Sequence, residues 1–112
     1  MKSPLITMSA ITGKPTRQEV FDYMKGLKDN GIDQAMVYPR SGCGLDYLED
    51  EWFETVRHYV DAAIENDMYL WLYDDFNWPS GDAHGRVSAI PEYRLKAVFT
   101  KGENAGQIDC YS

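Results

Sequence analysis

Two helix starts lie 34 residues apart in this sequence, and a short apolar run precedes each of them. The first start is Thr16 to Glu19, a capping box in which the Thr hydroxyl accepts from the Glu amide and the Glu carboxylate bonds back. The second is near Asp50, where acidic side chains suit the positive end of the helix dipole. Strand–helix units that repeat in this way predict an α/β fold with a parallel sheet. Right-handed crossovers place both helices on one face of that sheet.

The three predicted strands are apolar runs at residues 5–9, 32–38 and 68–73. Pro39 is expected to stop the second strand. The first helix is expected to end at Asn30-Gly31, since glycine tolerates the left-handed conformation of a helix cap. Helical spacing predicts a buried stripe on each helix: Val20, Phe21, Met24 and Leu27 on the first, and Trp52, Phe53, Val56, Tyr59, Val60, Ala63 and Ile64 on the second.

The strand–helix rhythm stops after Gly81. Residues 94–100 alternate in polarity as an exposed strand does, and residues 107–112 are predicted to pair back as a hairpin. We therefore predict one α/β domain over residues 1–90 and a β-hairpin extension over residues 91–112.

Composition excludes several classes of protein. Apolar residues make up 44% and charged residues 26%, which is ordinary for a globular chain. The net charge is −7 and the basic residues are scattered, which argues against nucleic acid as a partner. No apolar run is long enough to span a membrane, and residues 1–4 lack the apolar core of a secretion signal, so a cytoplasmic location is expected. Cys43 and Cys110 lack metal-site spacing and are expected to be free thiols; no cofactor is predicted.

Polar and aromatic residues crowd at the predicted carboxyl ends of the second and third strands, at 38–42 (YPRSG) and 73–78 (YDDFNW). Functional groups gather at these ends in parallel α/β sheets. Carboxylates accept hydrogen bonds from hydroxyl groups, an indole offers a flat apolar face, and glycine lets the backbone come close to a ligand. This mixture suits a sugar, which is apolar on its ring faces and polar around its edge.

Two stretches, YPRSGCGLDYLEDEWFETVRHYVDAA and WLYDDFNWPSG, resemble the N-terminal part of the catalytic barrel in large bacterial glycoside hydrolases related to α-L-rhamnosidases. Three motifs carry the resemblance: a Pro-Arg-x-Gly loop, a Tyr-Leu-x-x-x-Trp helix start, and a Tyr-Asp-Glu-x-x-Trp-Pro-Ser-Gly strand exit. The similarity covers roughly residues 5 to 94. It implies a parallel βαβαβ segment like the first third of a TIM barrel, so that residues 1–90 form a partial (β/α) barrel-like domain. It also implies a carbohydrate substrate.

The resemblance implies that five residues lie around the sugar subsite: Arg40, Asp74, Asp75, Trp78 and Ser80. Asp75 stands where the family has glutamate, and Asp82 and His84 stand where it has mostly small residues. The catalytic candidates are Asp74 and Asp75; the candidates for substrate binding are Arg40, Tyr73, Asn77, Trp78, Ser80 and His84.

Glycoside hydrolysis ordinarily needs two carboxyl groups, ~5–5.5 Å apart for retention or ~6.5–9.5 Å apart for inversion of the anomeric configuration. Asp74 and Asp75 are adjacent on a strand, so their side chains are expected to point to opposite faces and not to form one pair. Asp46 and Asp82 are the other acids that could supply a partner. A whole barrel takes ~250 residues, so the isolated monomer is expected to be an inactive fragment.

A non-catalytic function is the alternative. Two helices on one face leave the other face of the sheet uncovered, whereas parallel sheets are almost always covered on both faces. A small α/β interaction module could cover that face by forming a homo-oligomer. At single residues, purely structural roles compete with functional ones. Trp78 could fill the inside of its loop, Arg40 could form a salt bridge, His84 could be solvated, and His58 could lie on the surface. A third alternative is a phosphate-binding domain, and only the Gly42-Cys43-Gly44 loop supports it.

Overall fold

The structure, a computed structural model, describes residues 3–76 and 83–94. The elements run β1 (Ile6–Gly13), α1 (Arg17–Asp29), β2 (Gln34–Cys43), α2 (Asp50–Glu65) and β3 (Tyr69–Leu72), and a 3-10 turn follows at Pro91–Tyr93. The strands form one sheet in the order β1-β2-β3, and both strand pairs are parallel. The predicted α/β class and the predicted element order are confirmed. Residues 95–112, where the hairpin was predicted, lie outside the described residues.

The capping box at the start of α1 forms as predicted. The Thr16 hydroxyl accepts from the Glu19 amide at 3.3 Å, and the Glu19 carboxylate accepts from the Thr16 amide at 2.7 Å. The Thr16 hydroxyl also donates to the Glu19 carboxylate, at 2.8 Å. The hydrogen bonds that this carboxylate accepts from the Thr16 amide and hydroxyl lower the pKa of Glu19 below its ordinary value. At the other end, Asn30 caps the helix and Gly31 takes a left-handed φ of 79°. Local sequence therefore sets both ends of α1.

The second strand is longer than predicted, because Pro39 does not stop it. β2 continues to Cys43, and Pro39 pairs with Ile11 of β1. β3 ends at Leu72 opposite Val37, so its ladder with β2 does not extend to Pro39. A proline has no N–H to donate to a neighbouring strand. This costs little at Pro39, because β2 has no partner on the β3 side at that position.

The core lies between the sheet and the two helices. Ser9 and Ile11 of β1 and Ala35 and Val37 of β2 are buried under the helices. The Ser9 hydroxyl is hydrogen-bonded to that of Tyr23 on α1 at 2.6 Å. The buried apolar cluster is made by Ile11, Val20, Met24, Ala35, Val37, Leu45, Tyr47, Trp52, Tyr59, Ala62, Ala63 and Met68. Burial of this apolar surface is the main force that holds the helices on the sheet.

The predicted buried stripe of α2 is wrong in part. Phe53, Val60 and Ile64 are exposed by 55, 40 and 74%, whereas Thr55 and Ala62 are buried. The buried arc of the helix is thus rotated toward Thr55 and Ala62. α1 packs on α2 but leaves the flank with Phe53, Val60 and Ile64 open, and Leu72 of β3 is also 56% exposed.

The sheet face opposite the helices is largely uncovered in the described part of the chain, and Tyr38 is its one buried residue, at 7% exposed. Strand register aligns its residues in rows across the sheet: Ile6 with Gln34 and Tyr69, Met8 with Met36 and Trp71, and Ala10 with Tyr38. Tyr73 continues β3 in this direction, since its amide donates to the Val37 carbonyl at 3.0 Å. We call these nine residues, Ile6, Met8, Ala10, Gln34, Met36, Tyr38, Tyr69, Trp71 and Tyr73, the uncovered face.

Candidate functional site

The two adjacent aspartates after β3 lie in different environments. Asp74 is exposed, whereas Asp75 is only 4% exposed. The Tyr73 hydroxyl donates to Oδ2 of Asp75 at 3.2 Å, so one aromatic side chain holds the buried carboxylate. This difference fits the expectation that the two side chains diverge. Their catalytic roles stay a prediction.

Tyr47 connects the loop before α2 to the end of β3. Its hydroxyl donates to the main-chain carbonyl of Asp74 at 2.7 Å. Its ring lies edge-on to Trp52, with ring centroids 5.1 Å apart, and packs on Phe76 at 5.4 Å. Burial raises the pKa of the Tyr47 hydroxyl, and the negative charges of Asp74 and Asp75 raise it further. Both carboxylates therefore lie near this hydroxyl.

The sequence did not single out Tyr47 as a site residue. The Tyr-Leu-x-x-x-Trp motif was the available signal, because it contains both Tyr47 and Trp52. The contact with Asp74 is tertiary and joins residues 27 positions apart, so spacing along the chain could not reveal it.

A second aromatic contact lies at the ends of β2 and β3. The rings of Tyr38 and Tyr73 meet edge to face, with centroids 6.0 Å apart and planes at 86°. This geometry is favourable for aromatic pairs. Because Tyr73 also bonds to Asp75, the contact links the buried carboxylate to the uncovered face.

His84 packs against the same region. Its ring centroid lies 3.8 Å from that of Phe76. Ala83, His84 and Gly85 all take left-handed backbone conformations, with φ of 47, 55 and 82°. For the two residues that have a side chain, this conformation costs on the order of 1 kcal/mol each. The predicted site residue His84 is therefore close to the end of β3, in a turn that tertiary contacts maintain.

An open cleft of about 680 Å³ lies at the start of α2. Arg86 forms an ion pair with Glu49 across it. Tyr47 and His84 place the cleft beside the end of β3, but Asp74 and Asp75 do not line it. The described residues that line it are Asp46, Tyr47, Glu49, Asp50, Glu51, His84 and Arg86.

The other predicted site residues divide into two groups. Arg40 is exposed and lies in β2, which continues beyond it to Cys43. Asn77, Trp78 and Ser80 lie outside the described residues, as does Asp82. The structure therefore brings Tyr73, Asp74, Asp75 and His84 into one region.

Several other expectations can be compared with the described residues. Cys43 is a free, half-buried thiol. His58, expected on the surface, is partly buried, and its Nδ1 atom is buried without a hydrogen-bond partner. Within residues 3–76 and 83–94, no three His, Cys, Asp or Glu side chains are grouped so as to hold a metal ion. No helix in that part of the chain is both long and apolar enough to cross a membrane.

Replacing Tyr47 by phenylalanine should lower the free energy of unfolding by about 1 kcal/mol, because it removes a hydrogen bond and keeps the ring packing. Urea unfolding followed by circular dichroism measures the loss. Tyr93→Phe is the matched control, since Tyr93 is 67% exposed. Equal stability of the Tyr47→Phe variant and the parent protein would contradict the role given to this hydroxyl.

Comparison of the chain with protein-family models, with curated proteins and with solved structures found no match. The resemblance to glycoside hydrolases thus rests on the three sequence motifs.

Proposed function

We propose that this chain is a glycoside hydrolase-like, carbohydrate-binding protein whose sugar site lies at the carboxyl end of β3. The observation that carries the proposal is the pairing of an exposed and a buried aspartate with aromatic side chains at that end. Ligands of parallel α/β sheets bind at the carboxyl ends of strands. Tyr47 and Asp74, which belong to two of the motifs that resemble α-L-rhamnosidase relatives, are joined by a hydrogen bond at that end.

Each group has a role in this proposal. The exposed Asp74 carboxylate accepts hydrogen bonds from sugar hydroxyls, and charged acceptors make such bonds strong. Asp75, fixed by the Tyr73 hydroxyl, is the member of a catalytic pair whose position is set before substrate arrives. Tyr47 is a positioning residue, because it holds the backbone of Asp74 and touches no reacting group.

The uncovered face agrees with a partial barrel. In a (β/α) barrel the helices lie outside and the opposite sheet face lines the filled interior. Apolar side chains such as Met36 and Trp71 on the uncovered face are the kind that fill such an interior. We propose that further strands, from additional chain or from another subunit, complete the barrel and supply the second catalytic carboxylate. The 112-residue monomer accordingly binds sugar weakly and does not hydrolyse glycosides.

Titration of the purified chain with L-rhamnose, followed by NMR shifts of backbone amides, tests the binding proposal. We expect a dissociation constant of about 1–10 mM, which is a small binding free energy suited to an incomplete site. The largest shifts should fall on residues 73–76. Asp74→Asn should weaken binding at least ~10-fold, because a neutral amide is a poorer acceptor for sugar hydroxyls.

Asp29→Asn is the matched control, because Asp29 ends α1, far along the chain from β3, and is also an exposed acid. It should leave the affinity unchanged. Two results would refute the site. One is sugar binding that Asp74→Asn does not alter. The other is no binding at about 100 mM sugar, which would mean a binding free energy weaker than on the order of −1 kcal/mol. Hydrolysis of p-nitrophenyl α-L-rhamnoside by the monomer, lost in Asp74→Asn, would refute the partial-site proposal and establish a complete enzyme.

A further inference from the structure

We propose that the uncovered face is a dimer interface, and that its occupant is the same face of a second copy of this chain. This proposal goes beyond sugar binding, because it says what covers this face of the 112-residue chain when no further strands are present to complete a barrel. Four observations carry it: the absence of charge on the face, the internal pairing of polar groups, the arrangement of its aromatic and aliphatic side chains, and its area.

The uncovered face carries no charged side chain among its nine residues, although charged residues make up 26% of the sequence and the net charge is −7. Two acidic molecules repel each other wherever carboxylates meet. Contact through an uncharged face buries no carboxylate of either copy and keeps the acids in solvent. A strongly charged partner would find no complementary groups here.

The polar groups in the middle of the face are already paired within the chain. The Gln34 side chain donates through Nε2 to the Ser3 carbonyl at 2.7 Å and accepts through Oε1 from the Trp71 indole N–H at 3.2 Å. Burial of a polar group is costly only when it is left without a partner. A second copy can therefore cover the Trp71 indole N–H and the Gln34 carbonyl oxygen with their hydrogen bonds already made.

The two edges of the face differ in the size of their side chains. β1 presents Ile6, Met8 and Ala10, whereas β3 presents the aromatic row Tyr69, Trp71 and Tyr73. A twofold axis that runs along β2 places the aromatic row of one copy over the aliphatic row of the other, with Met36 against its equivalent. Aromatic side chains then oppose aliphatic ones on both sides of the axis, and each contact occurs twice. This repetition of contacts is what an isologous dimer requires.

The exposed area is of the right order for association. Ile6, Met8, Tyr69 and Trp71 are 44, 58, 55 and 49% exposed. At ~150–250 Å² for a large side chain, these four alone expose on the order of 400 Å². This is about half of the ~800 Å² per partner in a stable complex. Of the other five residues, Tyr38 is only 7% exposed and adds little, whereas Ala10, Gln34, Met36 and Tyr73 are exposed at least in part. A patch of ~300–600 Å² is the largest on a typical monomer and is often functional.

Analytical ultracentrifugation of the purified chain at about 1–100 µM tests the proposal, because dissociation constants in this range correspond to association free energies of roughly −8 to −5 kcal/mol. We expect a concentration-dependent mass that approaches twice the 12.8 kDa of one chain. Met8→Lys should weaken dimerisation at least ~30-fold, because it buries an unpaired ammonium group in the interface. Circular dichroism verifies that the variant is folded.

Ile64→Lys is the matched control: it makes the same kind of change at a 74% exposed position on α2, in the helix layer. It should leave the mass unchanged. A protein that stays monomeric at about 100 µM would overturn the proposal, because its association free energy would then be weaker than about −5.5 kcal/mol. So would a dimer that Ile64→Lys disrupts and Met8→Lys does not. Sugar titration depends on Asp74 and not on Met8, so a failure of the dimer and a failure of the sugar site are separate results.

Discussion

Replacing Trp52 by alanine is expected to lower the free energy of unfolding by about 3–5 kcal/mol, which is a large part of the stability of a small domain. Trp52 is 2% exposed and lies edge-on to Tyr47 in the core of the protein. The substitution removes its buried surface and leaves a cavity between α2 and the sheet. Denaturant unfolding followed by far-ultraviolet circular dichroism measures the change in midpoint.

Phe53→Ala provides a sharp control, because Phe53 is the next residue along α2 and is also aromatic. It is 55% exposed, so its replacement should cost less than about 1 kcal/mol. A Phe53→Ala loss as large as that of Trp52→Ala would mean that the open flank of α2 is buried in solution. The pair therefore measures directly which side of α2 faces the core.

Stability is expected to fall between about pH 10 and pH 12 through one buried tyrosine. Burial, with smaller contributions from Tyr23 and Cys43, raises the pKa of Tyr59 from 10.0 to about 12. Below pH 10 both the folded and the unfolded chain keep this proton, and the contribution of Tyr59 is fully present. Above pH 10 the unfolded chain loses the proton first, so the unfolded state is favoured until pH 12. The total loss is about 2–3 kcal/mol.

Guanidinium unfolding at pH 8, 10, 11 and 12 measures this loss, because these values reach about two units on each side of the ordinary tyrosine pKa. Tyr59→Phe keeps the buried ring and removes the titrating hydroxyl, so its stability should fall about 2–3 kcal/mol less across the same range. Other groups that titrate there are common to both proteins and cancel in the difference. Parallel curves for the parent and the variant would show that the Tyr59 hydroxyl is exposed to solvent.

The local features of the fold could be predicted from the sequence because local chemistry determines them. Thr16 and Glu19 are three residues apart and form the capping box wherever a helix starts there. Gly31 supplies the left-handed residue after α1 at no steric cost. The order of elements then follows from the repeat, and the parallel sheet follows from the helical crossovers that connect its strands.

Features that depend on neighbours in space could not be predicted in the same way. Phe53 and Trp52 both fit an apolar helix stripe, and only the position of α1 and the sheet decides which of them is buried. Pro39 normally ends a strand, but the shortness of β3 removes the reason for it to do so.

The candidate site shows the same division. The sequence places Asp74 and Asp75 at a strand end, and their alternation predicts that they diverge. The hydrogen bond from Tyr47 and the contact of His84 with Phe76 bring together residues that are distant in the chain. Those contacts fix the backbone around the two acids, and no spacing pattern encodes them.

The open flank of α2 determines where this architecture can be extended by design. Phe53, Val60 and Ile64 are exposed on that flank, and Leu72 at the end of β3 is exposed as well. On its other side α2 is packed by α1. A further strand–helix unit appended after β3 would therefore find apolar side chains to bury, and burial of apolar surface is the main force for such docking.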